Sequence, residues 1–297
     1  MVILAIIIVL AAMLLIILLT QNLISLNNEP NLEINANSNN FRIFPLTEEQ
    51  TINKINKNKS SIQLLNNKIS LVSLSVGDRK FSKITKNSLY NYAKLYNYDV
   101  HYYDKTLDSN YTVMWQKPLA VKDVLNMKEN GEYKYDCVVW IDDDMYITNP
   151  DFRIEDFINL SSKDIILSRD IINEDYNYYI NAGIYIIKNT EFGRRFIQDV
   201  IDGYDFFNGF FKNKACYEQP IMIYLFFQYY YDDIDVLPYG VLQSFYHRDK
   251  THKNHFNGKI SVNSRLWKSG DFIAHFAGLS NEYRDKNIPK LEKLVNI

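Results

Sequence analysis

Seven short, mostly apolar runs alternate along this chain with segments in which apolar residues recur at helical spacing, and no other feature limits its fold as much. The runs cover residues 69–76, 99–104, 135–141, 165–168, 180–188, 234–237 and 271–276, each the length of a strand. Between the first two, Phe81, Ile84, Leu89, Tyr92 and Tyr96 fall near helical spacing. Residues 117–127 read as a second helix with Pro118 in its first turn, where a missing N–H costs nothing, and further helices are expected at 192–201 and 219–227. Strands that alternate with helices return by crossovers, so the expected architecture is an α/β domain with a largely parallel sheet. At 297 residues, 47% hydrophobic and 23% charged, the chain can bury the core of one such domain and still carry an appendage.

One run ends abruptly. In "YDCVVWIDDDMYITNP" an apolar strand leads into Asp142, Asp143 and Asp144 before apolar residues resume. Ligands of α/β sheets bind beyond the carboxyl ends of the strands, and the triple aspartate stands at such an end. Clustered carboxylates repel and raise one another's pKa unless a cation compensates, so a divalent metal is a physical reason for the cluster. In extended backbone Asp142 and Asp144 face one side and Asp143 the other. The competing reading is a solvated acidic loop or a helix cap before "NPDF".

The appendage is N-terminal. Residues 2–19 contain no charge, Gly or Pro, and fourteen of these eighteen are Ile, Leu or Val. As a helix they span about 27 Å, and their insertion gains on the order of 4–8 kcal/mol. The run exceeds a signal-peptide core and lacks a basic n-region and an A-x-A site, so a retained transmembrane anchor (1–20) is expected. No Lys or Arg flanks the run until Arg42, so basic residues do not set its orientation. Residues 21–67, rich in Asn, Ser and Lys, read as a tether, and 68–297 as the folded domain. N-x-S/T sequons at Asn58, Asn110 and Asn159 are usable if the domain is lumenal. A formal charge of −2 provides no basic field for a phosphate backbone, which argues against nucleic acid as a partner. Two cysteines, Cys137 and Cys216, make neither a disulfide framework nor a zinc site.

Six landmarks occur in order over about residues 68–280: "SVGD" with Gly77 and Asp78, "MWQKP" with Trp115 and Lys117, "VVWIDDD", "NAGIYIIKNTEFGRRFI" with Asn181 and Gly183, "YEQP" with Glu218 and Gln219, and "DFIAHFAG" with His275. In these the chain resembles the galactosyl/mannosyltransferase family, which includes fungal Golgi mannan-elongating enzymes and plant xyloglucan xylosyltransferases. The resemblance implies a Rossmann-like GT-A domain with a mixed, mostly parallel sheet, behind one transmembrane helix. It implies an anomer-retaining transferase that moves a hexose or pentose from UDP-galactose, GDP-mannose or UDP-xylose to a glycan acceptor in an α linkage. A type II membrane protein with its catalytic domain in the lumen of an ER/Golgi-type membrane follows from the same likeness.

Carried onto this sequence, the resemblance makes Asp142, Asp144 and His275 the ligands of a Mn²⁺ that bridges the donor diphosphate, a donor set whose hardness suits that ion. Gly77, Asp78, Lys117, Asp143 and Gly183 join the donor-binding set. Asn181, Glu218 and Gln219 surround the transferred sugar, with Gln219 stabilising charge at the anomeric carbon and Glu218 the carboxylate available as a nucleophile. The chain departs from the plant members after His275, where Leu279 and Ser280 replace a cysteine and a basic residue. A diphosphate contact then falls to Lys117, Lys268 or Arg284. Two other readings remain open. One is a catalytically silent, sugar-binding or structural relative. The other is a haloacid-dehalogenase-like phosphatase, which shares the strand ending in Asp-x-Asp but wants an acid where His275 stands. His247, His252 and His255 read as a basic surface loop, and the aromatics of "FFQYYYDD", Trp115 and Trp267 as core or sugar platforms.

Overall fold

The computed structural model describes residues 46–58, 67–170, 180–210, 218–246 and 265–295. The expected anchor, much of the tether, Cys216 and the three histidines of the basic loop lie outside them. Among the described residues no helix is long and apolar enough to cross a membrane.

Helix α1 (Glu48–Asn58) precedes β1 (Ile69–Leu74), α2 (Ser82–Tyr96), β2 (Asp99–Tyr103) and α3 (Gln116–Leu125). A small hairpin, β3 (Lys128–Glu129) and β4 (Glu132–Tyr133), leads to β5 (Cys137–Ile141), β6 (Met145–Ile147), α4 (Ile154–Ile158) and β7 (Ile165–Arg169). Then come β8 (Ile180–Lys188), α5 (Glu191–Phe210), α6 (Glu218–Leu225) and β9 (Ile234–Leu237), followed by β10 (Ser244–Phe245), β11 (Ile273–His275) and α7 (Asn281–Val295). All these elements belong to one unit, Phe44–Ile297.

The main sheet has the order β2-β1-β5-β8-β7-β9. β1 runs parallel to β2 and β5, and β7 parallel to β9, while β8 is antiparallel to both its neighbours. The sheet is therefore mixed, with β8 as the reversed strand. Both faces are covered, as apolar runs without alternation require. Along β5, Val138 and Trp140 enter the core beneath α3, α5 and α6, whereas Cys137, Val139 and Ile141 enter the core on the side of α2 and α4. Cys137, on β5, is a buried thiol. A second, three-stranded sheet, β10-β11-β6, lies beside the end of β5.

α2 buries Leu89, Tyr92 and Ala93 and stops at Asn97, whose left-handed backbone (φ 57°) returns its N–H to Ala93 O. α1 is a departure from the sequence reading, which placed residues 48–58 in the tether. Its Ile55 and Thr51 are buried, and Arg265 clasps its Glu48 together with Asp271. Thr47 and Gln50 close its N-terminus reciprocally: Thr47 N–H donates to Gln50 Oε1 at 2.9 Å and Gln50 N–H to Thr47 Oγ1 at 3.2 Å.

A break in register positions the site. β7 and β8 pair from Ile165↔Ile187 to Leu167↔Tyr185, then resume at Ser168↔Asn181, so Ala182, Gly183 and Ile184 have no partner on β7. Such a bulge leaves backbone donors free for other uses. Ala182 N–H donates to Gln219 Oε1 at 3.0 Å, and Gly183 N–H to Asn181 Oδ1 at 2.9 Å.

Candidate metal and donor site

Strand β5 delivers the aspartates at its carboxyl end. Ile141 pairs with Ile184, and the next residue, Asp142, donates its N–H to Gly183 O at 2.9 Å. Met145 N–H then donates to Asp142 O at 3.2 Å, turning the chain over the three acids into β6. β6 pairs antiparallel with β11 so that Met145 stands opposite His275, and Phe276 N–H donates to Asp144 O at 3.1 Å. That register brings the histidine to the acids. Gly183 makes room for it, since a Cβ there would lie 2.5 Å from both His275 Cε1 and Met145 Cε.

Ligand atoms of Asp142, Asp144 and His275 lie within 4.8 Å of one another, the one such cluster among the described residues. His275 Nε2 is 3.3 Å from Asp144 Oδ1 and 4.0 Å from Asp142 Oδ2. Two carboxylates and an imidazole, converging from buried backbone, fit a divalent cation of the Mn²⁺ type. Trp140 adds orientation, its indole N–H donating to Asp142 Oδ1 at 2.7 Å.

Protein cations already face both acids. Lys117 Nζ reaches Asp142 Oδ1 at 2.8 Å and Glu218 Oε1 at 2.9 Å. Burial opposes the charge on Lys117, but Asp142 and then Glu218 outweigh it and hold the ammonium well above the usual lysine range. Arg284, from α7, donates to Asp144 Oδ2 at 2.6 Å. Burial works against the Asp144 carboxylate as well, yet His275, when its ring is protonated, and Arg284 keep its pKa well below the ordinary value. Of the three cations considered for a diphosphate, Lys117 and Arg284 stand in the site, while Lys268 is exposed on the turn before β11.

Asp143 faces away, although the backbone here turns and is not extended as the alternation reading assumed. Its carboxylate takes Arg79 Nη1 at 2.9 and 3.1 Å and Ser82 Oγ at 3.3 Å, so its charge is satisfied within the protein. Burial and the neighbouring Asp144 raise its pKa. Gly77 holds φ 96° with open space where a Cβ would be, and Asp78 beside it is exposed. Arg79 thus ties their loop to the acids. Glu218 is 1% exposed, and although Lys117 is near, neither of its carboxylate oxygens has a well-aligned donor. Burial, more than any charge, raises its pKa. Gln219 is only partly buried, and the second lone pair of its Oε1 is left by the Ala182 contact. Trp115 is core, edge-on to Tyr204, and Trp267 donates to Thr148 Oγ1 at 3.0 Å. Phe226 is also core, whereas Tyr229 is exposed. The sequence reading did not single out Arg79, which enters through a tertiary contact that no local spacing announces, or Trp140, which reads as one more apolar residue of β5 although its partner is two positions on.

A family model described as "Protein of unknown function, DUF273" matches residues 89–207. No curated protein matches the chain. Among solved structures, a glycosyltransferase involved in the glycosylation of the major capsid of PBCV-1 is similar at a TM-score of 0.55 and 15% identity, covering 75% of this chain and 99% of that one. The galactosyltransferase LgtC, in complex with donor and acceptor sugar analogs, aligns at 0.43 and 10% identity over 76% of this chain and 95% of its own. Mouse xyloside xylosyltransferase 1 aligns at 0.41 and 12% identity over 71% and 98%. The first of these likenesses establishes the fold, a mixed α/β sheet of the GT-A glycosyltransferase type. The comparisons do not single out the galactosyl/mannosyltransferase family.

Proposed function

We propose that this chain is a divalent-cation-dependent, anomer-retaining glycosyltransferase that moves a hexose or pentose from a nucleotide sugar to a glycan hydroxyl, leaving an α linkage. The observation that carries the reading is the convergence of Asp142, Asp144 and His275 at the carboxyl end of β5, on a fold shared with a glycosyltransferase. The donors considered are UDP-galactose, GDP-mannose and UDP-xylose, as the resemblance to the galactosyl/mannosyltransferases implies.

A cation such as Mn²⁺ at this triad supplies electrostatic stabilisation of the departing nucleoside diphosphate. The chain's own groups do the rest. The Gly77 turn gives a nucleotide close approach to backbone, and Asp78 accepts hydrogen bonds from ribose or base. Lys117 and Arg284, the cations that face the aspartates, would be the groups to meet the diphosphate. Gln219, through the free lone pair of its amide oxygen, faces positive charge developing at the anomeric carbon, with Asn181 beside it. The acceptor hydroxyl enters on the face the diphosphate leaves and gives its proton to a phosphate oxygen. Burial of Glu218 against Lys117 favours this route over a glycosyl-enzyme intermediate, because a nucleophile must reach the sugar.

Residues 2–19 would anchor the enzyme as a single-pass type II protein with the domain in the lumen. The sequons at Asn110 and Asn159 are exposed, as modification there requires. A glycosidase-sensitive mobility shift, lost in Asn58→Gln/Asn110→Gln/Asn159→Gln, tests that orientation.

Release of nucleoside diphosphate from each candidate donor, with and without Mn²⁺, tests the function. Cation-dependent turnover of one donor, abolished in Asp144→Ala and His275→Ala, is expected. A second reading, the silent relative, draws on the two protein cations already seated on the acids. Folded protein that neither binds nor turns over any nucleotide sugar would establish it instead.

A further inference from the structure

His275 is held by a chain of buried hydrogen bonds whose polarity is fixed at its far end. Gly183 N–H, a backbone donor, points at Asn181 Oδ1 (2.9 Å), so the oxygen of that amide faces inward. Gln243 approaches the same oxygen at 2.9 Å and must present its NH₂ group there, which also lies 3.0 Å from Ser168 Oγ. The other end of Gln243 is therefore its carbonyl, and Oε1 meets His275 Nδ1 at 2.5 Å. A carbonyl only accepts, so the ring proton belongs on Nδ1. Nε2 is left to face Asp142 and Asp144. Ser168, Asn181, Gln243 and His275 are all buried, so no solvent competes for these bonds.

We propose that Gln243 is a positioning residue that fixes His275 in its Nδ1–H tautomer and aims the unprotonated Nε2 at the cation site. The proposal rests on the reading of the triad as a metal centre. A histidine ligand whose other nitrogen is tied to a fixed acceptor is already in binding form, and its metal affinity depends on that partner. The order starts at the Gly183 amide, which orients Asn181, which orients Gln243, which orients the imidazole.

The test uses the full chain in detergent, with histidine labelled for nitrogen NMR at a pH above the imidazole range. The chain has five histidines, and His275→Ala assigns the signal. Wild type should show the Nδ1–H tautomer at His275. Gln243→Leu should move it toward Nε2–H, whereas Gln243→Glu, which keeps an acceptor for Nδ1, should retain Nδ1–H. Calorimetric titration with Mn²⁺ alone should show a loss of about 10–100-fold in affinity for the Leu variant and a smaller loss for Glu. Gln243→Met, similar in length but without either polar atom, runs beside Leu so that a folding defect in one leaves the other to decide. Unchanged tautomer and affinity in the folded Leu or Met variant would overturn the assignment. Equal losses in Leu and Glu would also overturn it, since a role in packing alone predicts that. Failure of wild type to bind Mn²⁺ would instead remove the metal centre itself, and the proposed ligand role of Gln243 with it.

Discussion

Removing Arg284 should strengthen binding of a bare cation while weakening the protein that lacks one. In the absence of metal, Arg284 Nη2 lies 2.6 Å from Asp144 Oδ2, with the side chains only 16% and 9% exposed. A charge-assisted hydrogen bond of this kind contributes about 1.5–3 kcal/mol, and a cation entering the triad must displace it. Relief of that competition in Arg284→Ala corresponds to about a 10- to 150-fold gain in Mn²⁺ affinity. The same change leaves the buried Asp144 carboxylate short of a partner, a loss of about 3–5 kcal/mol in the metal-free fold. For a domain of this size that is a fall in melting temperature of roughly 6–20 °C. Calorimetric titration with Mn²⁺ and melting curves with and without it measure both quantities. Affinity for a nucleoside diphosphate should move the opposite way, because Arg284 is then missing from the phosphate. Weaker Mn²⁺ binding in the variant, or an unchanged metal-free melting point, would refute the reasoning.

Three further outcomes are expected. Gln219→Ala should lower kcat by about 10²–10³, as loss of a group that meets developing charge does, while Glu218→Gln should retain turnover; the reverse order would make Glu218 the nucleophile. Gly183→Ala places a Cβ 2.5 Å from His275 Cε1 and should abolish Mn²⁺ binding at a cost in stability of about 1–3 kcal/mol, so calorimetry fails where circular dichroism stays native. Ile55→Ala should destabilise the domain by about 2–5 kcal/mol in urea, as expected for a core residue and not for a tether.

The central strands β1, β5, β7 and β8 were legible because each is buried on both faces and so reads as an unbroken apolar run, whereas the short β3, β4, β6 and β10 were not. Residues 180–188 and 234–237 were placed to the residue. Helix α1 escaped for a physical reason. In "EEQTINKINKN" only two isoleucines are apolar, and its composition is that of a flexible segment. Its one local sign was the reciprocal cap, Thr47-x-x-Gln50, which lies ahead of too short an apolar stripe to stand out. Helix α7 carries Pro289 in its interior and few buried residues, so its period is interrupted. Asp142 and Asp144 were legible from the strand that ends in them, and His275 through the family resemblance, but the contacts around them were not. Arg284, Arg79 and Gln243 reach the site from three separate elements, and only the folded register shows which acid or ring each one meets.

The bulge in β8 separates what the sheet needs from what the site needs. On its β7 side, the ladder from Ile165 to Leu167 and the pairing at Ser168 and Arg169 make no demand on residues 182–184. On the β5 side Ile184 still pairs with Ile141 and is buried, as is Ala182, so of the three positions Gly183 is the one that answers chiefly to the site. A change at that one position could silence the site without passing through an unfolded ancestor.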